Sequence, residues 1–198
     1  MRRFITLFAA AILLLSLSCS EAEGIREWFQ SPEVTATPAP NAFRFRDGIR
    51  WGMNTQQVKA LETGKMNERA MQNWSVMLTD QKVSVSRFKA DLVFMFREDR
   101  LLMISYEFQQ ATKDDFLYLT GALSSVYGEK TDADPLKIKA LMDSINPNRY
   151  KAELISEAVL WETGDGTSVY LYYYSADSFA VLYVSPELGS RIYQTNGL

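Results

Sequence analysis

Few side chains in this sequence could carry covalent or acid–base chemistry, and their spacing narrows the choice further. There is no histidine, and Cys19 is the single cysteine. Imidazole is the commonest general base and metal ligand near neutral pH. Its absence excludes Ser-His-Asp and Cys-His arrangements, and with them zinc sites built on imidazole or thiolate. Carboxylates remain. Asp132-Ala133-Asp134 would offer two oxygen donors to a metal, but no glycine-centred calcium loop surrounds them. Asp134 also stands where a helix beginning at Pro135 needs its cap. Gly164-Asp165-Gly166-Thr167 has the glycines of a phosphate-cradling loop without the Lys-Ser/Thr pair or a following helix, which leaves a hairpin turn. A pair of acids could hydrolyse a glycoside. The 24 Asp and Glu residues fall mostly in turns and helix starts, however, and no pair stands apart. No catalytic residue, metal site or cofactor is assigned.

Tyr170-Leu171-Tyr172-Tyr173-Tyr174 offers a different chemistry. Side chains alternate along a strand, so Tyr170, Tyr172 and Tyr174 share one face. Tyrosine combines apolar area with a polar tip, and an uncovered face of this kind would be a contact surface for a partner. A helix at 135–145, or the N-terminal segment, lying over it would make the same rings core. Rings packed laterally beneath water are a third arrangement; all three stay open, with Tyr170, Tyr172 and Tyr174 the candidate partner-binding residues.

The elements that must hold these residues begin with an export signal. Arg2 and Arg3 precede an apolar run from Phe4 to Leu17, followed by Ser18-Cys19-Ser20. That run is shorter than the roughly 20 residues of a permanent membrane span, and the layout over residues 1–18 is that of a secretory signal peptide. A lone cysteine in an exported chain has no partner for an internal disulfide. Ser16-Leu17-Ser18-Cys19 resembles the lipid-acceptor site of bacterial lipoproteins, although Leu15 and Leu17 flank the position where that family places its leucine. The resemblance implies lipidation at Cys19, with several acyl chains giving stable attachment. Ser20 is not an obvious retention signal, so the implied place is the outer membrane, facing the periplasm. Cleavage after Ser20-Glu21-Ala22 would instead release a cysteine-free protein. Residues 19–41 then read as a tether stiffened by Pro32, Pro38 and Pro40, and residues 42–198 as one domain with enough chain for a sizeable core.

Lys and Arg total 21 against 24 acids, mixed along the chain. Without a basic stripe, nucleic acid is not an expected partner. Phe43-Arg44-Phe45-Arg46 alternates as an edge strand does. Asn54 and Gln57 fit a capping box, Met53 and Val58 a hydrophobic staple, and Gly64 a left-handed helix stop. Strands are predicted over 74–78, 82–87, 91–96 and 101–108. A three-residue turn within Arg97-Glu98-Asp99-Arg100 would set Leu92, Phe94 and Phe96 opposite Leu102, Ile104 and Tyr106. Thr112 caps a helix striped by Phe116, Leu119, Leu123, Val126 and Tyr127 and closed by Gly128. Asp134 caps a shorter one carrying Ile138, Leu141, Met142 and Ile145. Strands follow over 158–163, 169–174 and 179–184, and residues after Pro186 read as a loose tail.

Residues 92–106 and 169–184 share a pattern of aromatic strand, acidic turn and apolar return strand, preceded in each half by a capped helix. This predicts an α+β fold, an antiparallel sheet with helices on one face, built from two helix-plus-strands units with an extra helix in the second. Trp51-Gly52-Met53 followed by Gln57-Val58 resembles the helix entry of bacterial envelope proteins with the β-lactamase-inhibitor-like fold, among them the small lipoprotein of the outer-membrane β-barrel assembly machine. Gln57 stands where that family has an acid, and no proline follows Gly64-Lys65 or Gly128-Glu129. The resemblance implies the fold; shared folds host unrelated functions. The expectation is a non-catalytic, lipid-anchored envelope protein that binds another envelope component. The alternatives are an inhibitor of a secreted enzyme or a carboxylate hydrolase of envelope glycan.

Overall fold

Strands that are apolar on both sides must be covered on both sides, and that requirement sets the architecture. The computed structural model describes residues 43, 45, 48–62, 64–146, 154–174 and 177–195, with side chains as far as Arg191. Among these residues, helices α1 (Thr55–Leu61), α2 (Lys113–Tyr127), α3 (Pro135–Ile145) and α4 (Pro186–Thr195) accompany nine strands. These are β1 (Met66–Met71), β2 (Trp74–Thr79), β3 (Val83–Val85), β4 (Phe88–Arg97) and β5 (Arg100–Gln109), then β6 (Thr131–Asp132), β7 (Ala158–Glu162), β8 (Ser168–Tyr173) and β9 (Ser178–Val184). All pair in one antiparallel sheet of order β1-β2-β4-β5-β9-β8-β7-β6, with β3 alongside β4. Each half of the chain supplies one half of the sheet, and the halves meet where β5 pairs with β9.

Every residue of β8 is buried, as are Leu92 to Phe96 in β4 and Leu101 to Tyr106 in β5. Unbroken apolar runs of this kind mark strands packed on both faces. One face gathers Phe94, Ile104, Tyr106, Leu171 and Tyr183 with Val58 of α1 and Phe116, Leu119 and Leu123 of α2. The other gathers Met95, Met103, Tyr170, Tyr172 and Leu182 with Ile138, Leu141, Met142 and Ile145 of α3 and Leu188 of α4. The expected single layer of helices is thereby corrected. A strand reading Leu-Val-Phe-Met-Phe has no polar side to leave in water, so the sheet lies between two sets of helices.

The caps form as their sequences dictate. Asn54 and Gln57 close a capping box on α1, Thr112 and Asp115 one on α2, and Asp134 accepts from the Leu136 N–H to start α3. Gly128 ends α2 at φ 90°. Gly64 is not left-handed; α1 ends at Glu62, whose N–H reaches the Val58 carbonyl. Phe43 and Phe45 form no edge strand. Both rings enter the core, Phe43 stacking on Trp51 with centroids 4.6 Å apart. Arg44 and Arg46 lie outside the described residues.

The central hairpin pairs Leu92 with Tyr106 and Phe94 with Ile104 as expected, but Phe96 faces Leu101 rather than Leu102. The turn is made by Glu98 and Asp99 alone, both at φ near +55°. These are the positive dihedrals of the turn whose twist matches a tight hairpin. A bulge follows, and its extra residue sends Leu102 to the opposite core. Strand β1, not foreseen in the sequence, is a largely exposed edge. Its exposed Asn67, Glu68 and Arg69 carry no strand-forming pattern, and pairing with β2 defines it. Charges on an exposed edge oppose intermolecular strand pairing. The expected loose tail is helix α4 instead, held by the buried Leu188 and by Glu187, which pairs with Arg100 at 2.8 Å.

Candidate functional site

A cavity of about 190 Å³ opens at one end of the β5–β9 seam, lined by Glu107, Gln109, Tyr172, Tyr174, Ser178 and Ala180 among others. Register explains it. Asp91 of β4, Glu107 of β5, Ala180 of β9, Tyr172 of β8 and Ala158 of β7 lie in one row across the sheet. Directly opposed residues of an antiparallel pair point to the same face. The small Ala180 side chain therefore forms a low point between Glu107 and Tyr172. In the next row Gln109 stands opposite Ser178, and the Tyr174 N–H donates to the Ser178 carbonyl at 3.0 Å. At the other end of the seam, on the same face, α4 packs the buried Leu188 into the core that holds Leu102, Met103 and Val184.

The tyrosines do not form an open surface. Tyr170 is 4% exposed, Tyr172 2%, and Tyr174 half-buried. Of the alternatives, coverage by the 135–145 helix is the one found, since Ile138, Leu141 and Met142 of α3 belong to the same core as the Tyr170 and Tyr172 rings. Tyr172 and Tyr174 still meet at the cavity wall, whereas Tyr170 lies deeper and does not line it. Glu107, Gln109, Ser178 and Ala180 were not singled out by sequence. Their signal was there in part: Ala180 is the one small residue in Phe179-Ala180-Val181-Leu182-Tyr183. Locating it required knowing that β9 runs beside β5.

Several acids at this end of the sheet are each matched by a base. Asp91 pairs with Lys82 at 3.7 Å, Asp115 with Arg87 at 2.8 Å, and Glu157 with Lys113 at 3.7 Å. Burial, and then the charges of Asp115, Glu157 and Asp114, push the Tyr173 hydroxyl above its ordinary range. Bonds from the Thr112 hydroxyl and N–H, followed by Arg87, hold the Asp115 carboxyl below its usual value. On the face under α1 and α2, burial pushes the Tyr127 and Tyr183 phenols far upward, so both stay neutral at physiological pH.

The remaining sequence candidates have structural employment. Asp134 caps α3 through the Leu136 N–H at 2.9 Å, while Asp132 is exposed in β6. The 163–167 segment is a hairpin turn in which Thr163 bonds Asp165 and the Thr167 N–H donates to the Thr163 hydroxyl at 3.0 Å. Among the described residues, no group of three or more acids is placed to hold a metal ion. No described helix is long and apolar enough to cross a membrane. Cys19 and the tether lie outside the described residues. No family model matches the chain, and searches of curated proteins and of solved structures return no match either.

Proposed function

We propose that the chain is a lipid-anchored envelope binding module that engages another envelope component at the cavity over Ala180. The observation that carries this reading is the convergence of Glu107, Gln109, Tyr172, Tyr174 and Ser178 on one small depression of the sheet face whose core is shared with α3 and α4. Such a site offers hydrogen-bonding groups over a short apolar floor, which suits recognition. Residues 1–19 supply the rest of the proposal: an export signal ending at a cysteine placed for acylation. The sheet order, with five strands from the first half and four from the second meeting at β5–β9, supports the further reading that the domain consists of two helix-plus-strands units, α3 being the insertion in the second.

The test is twofold. Mass spectrometry of the mature N-terminus should find an acylated Cys19, and Cys19→Ser should move the protein from the membrane to the soluble fraction. Cross-linking in membranes should then capture a partner that is lost when the cavity is filled. An N-terminus beyond Cys19 would refute the anchor. Unchanged capture by the filled variant would refute the site.

A further inference from the structure

We draw no further inference here: the strongest candidate, the neighbouring acids Asp91 and Glu107 in the row that runs past Ala180 at the cavity, belongs to the site already described, and no observation beyond the acids themselves points to a ligand.

Discussion

The indole Nε1 of Trp51 donates to the hydroxyl of Thr167 at 2.8 Å, joining the loop before α1 to the β7–β8 hairpin across 116 positions of chain. Gly52, at φ +79°, turns the backbone so that its own N–H reaches the Leu101 carbonyl at 3.0 Å. The Trp51-Gly52 pair thus ties the start of the domain to both halves of the sheet. A bond of this kind contributes about 1 kcal/mol net. Trp51→Phe and Thr167→Val should each lower stability, and a double-mutant cycle should return a coupling of about 1 kcal/mol. The measurement is the urea midpoint at unchanged slope; a coupling of zero would show that the bond contributes nothing.

Filling the cavity separates recognition from folding. Ala180→Leu would place a branched side chain between Glu107 and Tyr172. Overpacking of this order costs about 1–3 kcal/mol, so the variant should remain folded by circular dichroism while partner capture falls at least tenfold. Tyr174→Ala, at a half-buried position on the rim, should weaken capture with a smaller loss of stability.

Glu98 holds a left-handed backbone, at φ 55°, that a glutamate side chain disfavours. Asparagine tolerates that region better. Glu98→Asn should stabilise the hairpin, read as a rise in thermal midpoint. Asp99 is a different case, because its carboxylate accepts from both the N–H and the hydroxyl of Thr55 at 3.0 Å. Asp99→Asn should therefore gain less than Glu98→Asn.

Two carboxyls give opposite dependence on pH. Bonds from Thr112 lower the Asp115 pKa below the ordinary 3.8, so its stabilisation is present above that value and is lost as pH falls through the folded pKa. The stability gap between the parent and Asp115→Asn should be widest near neutrality and close under acid. Partial desolvation raises the pKa of the exposed Glu162 above the ordinary 4.5, against the bonds from Ser168 and the charge of Lys137. The native state then holds the proton more tightly, and stability falls as pH rises from 4.5 through the folded value. Glu162→Gln should remove that fall. Denaturant titrations across the acid range measure both effects.

Sequence by itself determined where three helices start and which residues meet in two cross-strand pairs, though not the two-residue turn between β4 and β5 or helix α4. Asn54 with Gln57, Thr112 with Asp115, and Asp134 before Pro135 started their helices where expected, because a cap is a bond between residues a few positions apart. The Leu92–Tyr106 and Phe94–Ile104 pairs followed from alternation across a short turn. Only the tertiary structure decided which of two apolar faces each helix covers, that Leu102 crosses to the second core through a bulge, and that polar β1 is a strand at all. It also decided that the tyrosine face lies beneath α3 and that Ala180 stands between Glu107 and Tyr172. The physical reason is range. Caps and hairpin turns are settled by bonds between near neighbours in the chain, whereas a cavity floor depends on strands brought side by side from distant segments, and no single strand's pattern encodes its neighbour.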